Sequence, residues 1–194
     1  MPNELLQKLE RDLTKKRDFS LVSATLRGNQ RAFETLMTHY KTRLFYFGIK
    51  FFHNEVDAED FVQDVFIKVY TRLSTFQGKS QFSTWLMRVA YTTAINELNR
   101  RKETQPLDDE AALPDVNDST PEEQQIRKIT QSAIREAVQE LPQKYAICIE
   151  MYFYYDIPYQ EISDITELPL NTIKSHIFRA KKILKKKLEE YHEQ

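Results

Sequence analysis

Apolar residues recur at helical spacing along most of this chain. Between Asn171 and Leu188 the residues Ile173, Ile177, Ala180, Leu184 and Leu188 follow one another in three- to four-residue steps. At about 100° per residue they form one stripe facing a core. The opposite face carries Asn171, Ser175, Phe178, Arg179 and Lys182, with Lys174, Lys181 and Lys185 on its flanks and no carboxylate before Glu189. Just upstream, Pro158-Tyr159-Gln160-Glu161-Ile162-Ser163-Asp164-Ile165 predicts a short helix with Ile162 and Ile165 inward and Pro158 in its first turn. Thr166-Glu167-Leu168-Pro169 predicts the turn between the two, because Pro169 cannot continue the first helix but can precede the second. Short helix, tight turn and long basic helix are the parts of a helix-turn-helix, whose second helix sets early side chains on base edges and later lysines over phosphates. A lysine-rich helix taken alone is as readily a solvated face. The helix and turn before it favour the DNA-reading alternative.

A second strong segment runs from Val56 to Tyr70. Phe61, Val62, Val65, Phe66 and Val69 form an inward stripe, while Asp57, Asp60, Gln63 and Asp64 project elsewhere. Acids in a first turn stabilise a helix N-terminus by roughly 0.3–1 kcal/mol each, which accounts for part of this pattern. Asp64 lies beyond that turn, and an acidic and amide ridge over an apolar base is the expected docking surface for a basic partner. From Phe76 to Tyr91, Gly78 is expected to break the preceding helix, and a polar loop leads into a long helix ending Asn99-Arg100-Arg101-Lys102. Phe82, Trp85, Leu86, Val89 and Leu98 are expected in a core. The loop and the outward residues Thr84, Arg88, Tyr91, Thr92, Asn96 and Asn99 mix hydrogen-bonding, cationic and aromatic groups. That mixture suits single-stranded DNA, whose bases are unstacked and read while cations hold phosphates.

Three glycines in 194 residues and no alternating strand pattern predict an all-α protein. The net charge of −1 looks unsuited to a nucleic-acid binder until its arrangement is considered. No Lys or Arg occurs between Lys102 and Arg127, where Asp108, Asp109, Glu110, Asp115, Asp118, Glu122 and Glu123 all fall. Residues 103–120, with Pro106 and Pro114, read as a flexible acidic linker between two helical domains, 20–102 and 121–194, after an N-terminal extension, 1–19. Cys148 lies in the apolar run Ala146-Ile147-Cys148-Ile149 and is expected in a core, which leaves no disulfide. His39, His53, His176 and His192 show no paired spacing, so neither a metal nor another cofactor is expected. No stretch suits a signal peptide or a membrane span, so a cytoplasmic protein is expected. No nucleophile, metal cluster or phosphate loop can be assembled, which argues against an enzyme.

Taken together, Asp57-Ala58-Glu59-Asp60 leading into Gln63, Phe82-x-x-Trp85-Leu86-x-Arg88-Val89-Ala90, Leu141-Pro142-x-Lys144, Tyr159-x-Glu161-Ile162 and Thr172-Ile173-Lys174-Ser175 resemble an extracytoplasmic-function sigma factor of bacterial RNA polymerase. The resemblance covers about residues 20–188 and includes sigma regions two and four alone. It implies that Asp57, Asp60, Gln63 and Asp64 dock on the clamp helices of the largest polymerase subunit. It implies that Lys79, Ser80, Gln81, Thr84, Arg88, Tyr91, Thr92, Asn96, Arg100 and Arg101 read the −10 element, capturing a flipped base of the non-template strand. It implies that Asn171, Thr172, Lys174, Ser175, Phe178, Arg179 and Lys182 read the −35 element in the major groove. The linker would thread toward the RNA exit path; at about 3.3–3.6 Å per residue it reaches at most roughly 60 Å. Core RNA polymerase and promoter DNA are the implied partners, and family members are commonly held by an anti-sigma factor.

Against the family pattern, Glu167 stands where a turn glycine is usual, Thr92 and Asn96 replace an asparagine and an aspartate, and Ser163 replaces a frequent alanine. Two rival classes are a free-standing helix-turn-helix regulator, which predicts binding to a palindromic duplex as a dimer, and a helical interaction protein without a DNA role. The regulator would need neither the acidic docking helix nor a second DNA-contacting part.

Overall fold

Seven α-helices, and no strand, occur among the described residues, which are 2–104, 138 and 141–192 of a computed structural model. They are α1 (Pro2–Leu26), α2 (Gln30–Phe52), α3 (Glu55–Arg72), α4 (Phe82–Thr104), α5 (Gln143–Phe153), α6 (Tyr159–Thr166) and α7 (Leu170–His192), with a 3₁₀ turn at Leu73–Thr75. The all-α class expected from the sequence is the one found. Most of the expected linker, 105–120, lies outside the described residues. The N-terminal boundary expected at 19/20 falls inside α1, one unbroken helix. The chain divides into two compact units, Met1–Gly48 with Val56–Leu107, and Ile49–Glu55 with Asp108–Gln194.

In the first unit the stripe expected on α3, Phe61, Val62, Val65, Phe66 and Val69, is buried and Ala58 joins it; Leu36, Leu44, Phe47, Leu86 and Met87 of the same unit are buried too. Gly48 sets how closely α2 approaches α3. A Cβ there would stand 2.7 Å from Phe61 Cδ1 and 3.3 Å from the Ala58 Cα. Asp18 of α1 is buried, accepting a hydrogen bond from the Tyr40 hydroxyl and two from the Arg17 guanidinium, at 3.0 and 2.8 Å. Satisfying a buried carboxylate in this way avoids the desolvation cost of leaving it bare, and it ties α1 to α2. Helix α3 stops at Arg72 and the 3₁₀ turn at Thr75. Gly78 therefore shapes the loop that follows rather than breaking a helix, at φ +68.

In the second unit Met151, Ile157, Ile162, Ile173 and Ile177 are fully enclosed. Cys148 is buried as expected, 3.7 Å from His176 Nδ1, and burial pushes its thiol up to about 12. The unit also encloses two opposite charges that the hydrophobic pattern does not disclose, Lys50 and Glu150. Gln143 Nε2 donates to the Lys50 backbone carbonyl at 2.7 Å. Burial lowers the Lys50 ammonium and raises the Glu150 carboxyl to about 7, and each partly offsets the other's shift. Unfolded, Glu150 returns to the ordinary 4.5, so between these values the folded unit binds the extra proton. Its contribution to stability is present below 4.5 and is lost as pH rises to about 7. Melting curves of the wild type should therefore lose ground to those of Glu150→Gln as pH rises through this window; parallel pH dependences would exclude the effect.

The turn between α6 and α7 is made without glycine. Glu167 caps α6 in the left-handed region at φ 60 and ψ 17, a conformation that costs a residue with a Cβ about 1 kcal/mol or more. Side chains brace it: Ser163 Oγ donates to the Leu168 carbonyl at 2.5 Å, and Thr166 Oγ1 to the Ile162 carbonyl at 2.8 Å. Pro169 accepts from Thr172 N and Ile173 N at 2.8 and 3.1 Å, opening α7. Glu167→Gly should thus stabilise the second unit by about 0.5–1 kcal/mol. A raised denaturant midpoint at unchanged slope is the expected readout, and an unchanged or lowered midpoint counts against strain at this residue.

Candidate nucleic-acid interface

Helix α7 separates its faces as its sequence requires. Ile173, Ile177 and Ala180 are buried, and Ile183 and Leu184 pack on the cluster of Leu141, Tyr145, Ala146, Ile149 and Ala180. Asn171, Lys174, Phe178, Arg179 and Lys182 are exposed on the opposite side, with Thr172 and Ser175 half-buried at its margin. Phe178 is 69% exposed although aromatic, so the core does not account for it. Arg179 Nη1 donates to the Tyr145 hydroxyl at 3.2 Å, which fixes one end of the guanidinium while leaving the side chain at the surface. The His176 ring lies tilted against the Tyr145 ring, centroids 5.2 Å apart, and partial burial, with Lys144 and Arg179 nearby, lowers its pKa. Lys181 lies over the rings of Tyr152 and Phe153, 5.2 Å from each centroid, on a flank of the same helix. The face joins three cations to polar side chains and one aromatic residue, with no carboxylate from 171 to 182, the composition of a duplex-groove surface.

The loop before α4 and the exposed side of that helix form a second surface. Lys79, Arg88, Thr92, Asn96 and Arg100 are exposed, and Ser80, Gln81, Tyr91 and Arg101 are half-buried. Arg88, Thr92, Asn96 and Asn99 share one stripe along the helix. Thr84, expected outward on the same side, is buried at 5% exposure and does not join them. The first turn of α4 is enclosed because Phe82 packs among Tyr40, Phe76 and Trp85, all with ring centroids 5.6–5.7 Å away. At the far end of the stripe, Glu97 accepts from Arg100 and Arg101, and Arg101 also reaches Asp57 of α3 at 2.5 Å. Arg100 and then Arg101 hold the Glu97 carboxyl below its usual range.

The acidic ridge of α3 is divided by this contact. Asp60, Gln63 and Asp64 are exposed, while Asp57 is half-buried against Arg101. Val56, Ile67 and Tyr70 are exposed at 72%, 61% and 55%. With Asp60 and Gln63 they form one stripe at positions 56, 60, 63, 67 and 70, opposite the buried face. Tyr70 meets the Phe33 ring of α2 edge-on at 5.0 Å. The three apolar members escaped the sequence reading, although their spacing, off the core stripe by half a turn, was a usable signal.

A helix-turn-helix with one exposed cationic face, in a chain whose other helical unit bears polar and apolar surface stripes, has the features of a DNA-binding protein. Residues 36–104 match the family model described as Sigma-70 region 2, and residues 131–184 match that described as Sigma-70, region 4. The chain is 31% identical over 188 residues to the RNA polymerase sigma-H factor of Pseudomonas aeruginosa, covering 91% of this chain and 96% of the relative. It is 28% identical to the ECF RNA polymerase sigma-E factor of Haemophilus influenzae, covering 89% and 95% of the two chains. Among solved structures, CnrH in complex with the cytosolic domain of CnrY has the same fold, with a TM-score of 0.58, 20% identity and coverage of 89% of this chain and 97% of that one. The sigma factor RpoE with the anti-sigma factor NepR from Bartonella quintana matches at a TM-score of 0.59, 20% identity and coverage of 81% and 96%. The chain belongs to the extracytoplasmic-function sigma factors of bacterial RNA polymerase. Its function is therefore promoter recognition for the polymerase, and a free-standing regulator is not favoured. No helix among the described residues is long and apolar enough to cross a membrane.

Proposed function

We propose a division of this activity among three surfaces. The α3 stripe docks on core polymerase through Asp60, Gln63 and Asp64, extended by Val56, Ile67 and Tyr70; Asp57 supports it from its pair with Arg101. The loop with Lys79, Ser80 and Gln81, and the α4 stripe with Arg88, Tyr91, Thr92, Asn96 and Arg100, hold and read the −10 strand. The α7 face reads the −35 duplex through Asn171, Thr172, Lys174, Ser175, Phe178, Arg179 and Lys182. Residues 20–102 and 121–194 act as regions two and four, with 103–120 as the linker between them. Two weak DNA sites joined in one chain gain effective concentration, so neither half requires high affinity alone.

The observation that carries this reading is the face of α7, whose cations and exposed Phe178 have no role in the core. In this reading polymerase performs the chemistry, and this chain selects where it starts and acts with the enzyme in the cytoplasm. An anti-sigma factor is the further partner class, the kind of protein named with RpoE in the solved complex. Run-off transcription with bacterial core polymerase on a promoter library tests the assignment. Start sites that appear only with this chain, and share two spaced elements, support it. Binding to a duplex without directed initiation would sink it.

A further inference from the structure

Phe19 is the exposed aromatic of α1 nearest the loop assigned to the −10 strand. Its ring edge meets Gly78: a Cβ built on that glycine would lie 3.1 Å from Phe19 Cε2 and 3.7 Å from Cδ2. Gly78 is followed directly by Lys79, Ser80 and Gln81, and its φ of +68 is the turn that presents them. Even so, 57% of Phe19 remains accessible. A scattered exposed apolar residue is ordinary on a protein surface. The helix that carries it is anchored at its neighbour Asp18, which accepts from Tyr40 and Arg17, and one edge of the ring lies close to Gly78. More than half of the residue stays exposed beside the loop.

We propose that Phe19 is a wall of the −10 pocket. Its edge sets the loop at Gly78, and its open face stacks on an unpaired base of the strand that the loop holds. The ligand class is single-stranded DNA, for which an aromatic face accepts any base while neighbouring polar groups select among them. Gly78 is then doubly constrained, by its backbone conformation and by the ring that occupies the place of a side chain. The inference rests on the assignment of the loop to the −10 strand.

The test uses holoenzyme reconstituted from core polymerase and the full chain. The probe is a single-stranded oligonucleotide carrying the −10 element of a promoter found by run-off transcription, with 2-aminopurine replacing its adenines one at a time. Phe19→Ala is expected to weaken binding about 5- to 100-fold, as loss of one base–aromatic stack does. Phe19→Trp should keep the affinity and quench the fluorescence of one probe position more strongly. Phe19→Leu, which retains an apolar contact with Gly78, should fall with Ala. Leu at wild-type affinity would overturn stacking and leave only a packing role, as would Trp without altered quenching. If the wild type binds the oligonucleotide and Ala binds equally, the Phe19 proposal fails while the loop assignment stands. If the wild type binds no −10 strand, both fall. On a template already opened across the −10 element, wild type and Ala should still differ; equal complex formation there would also count against a base contact.

Discussion

Ile67→Lys is expected to weaken polymerase binding by roughly 30-fold or more and leave the fold intact. Ile67 is 61% exposed midway along α3, between Gln63 and Tyr70, so its substitution disturbs no core contact and should change stability by no more than about 0.5 kcal/mol. In an interface the same residue is an apolar anchor flanked by polar groups, the arrangement in which a few side chains supply most of the affinity. Truncation at such a position costs about 2 kcal/mol or more, a loss of roughly 30-fold, and the added cation deepens it against a basic partner. Titration of labelled protein with core polymerase, beside a thermal melt, checks both halves. Asp60→Ala with Asp64→Ala should weaken the same step by a smaller factor, being exposed charges on the rim. Binding by Ile67→Lys at wild-type strength would show that the docking face lies elsewhere.

Gly48→Val should destabilise the first unit by about 3 kcal/mol, the upper end of the cost of overpacking a core. Alanine in place of a mid-helix glycine ordinarily gains about 1 kcal/mol in helix propensity. Here that gain is outweighed, because the new Cβ meets Phe61 at 2.7 Å and the Ala58 backbone at 3.3 Å. Phe61 is buried and cannot swing aside without opening a void, and Ala58 offers backbone rather than a flexible tip. Valine adds two methyl groups to the same gap. With about 4–8 °C per kcal/mol for a domain of this size, the melting transition should fall by roughly 12–24 °C. Calorimetry resolves it, and a shift of a degree or two would mean that α2 and α3 can separate cheaply.

The α7 reading followed from sequence because one face of a 3.6-residue period is apolar and the other basic, and nothing tertiary competes with that pattern. The same logic misplaced Thr84. It lies on the outward side of α4 by periodicity, yet it is buried in the first turn of that helix, where tertiary packing and not the period of the helix decides exposure. Ile67 and Tyr70 were lost for the opposite reason: an apolar residue off the core stripe was passed over in favour of its charged neighbours. Asp57 illustrates a third limit. Its type fits a docking acid, but its partner Arg101 lies 44 residues away and on another helix. Lys50 and Glu150 were likewise invisible, since charged residues are read as surface until a structure encloses them. The positive φ of Glu167 was legible only as the absence of an expected glycine; the hydroxyls of Ser163 and Thr166 that brace the turn were needed to see how it closes.

The Asp57–Arg101 pair has a bearing on how such chains can be rebuilt. It fastens the beginning of α3 to the end of α4, so a chimera that borrows either helix without the other would lose this link between them, although Arg101 would keep its pair with Glu97. An engineer seeking to change promoter choice while keeping the host polymerase would do better to leave α3 and the tie in place and redraw specificity from Arg88 to Asn96, upstream of it.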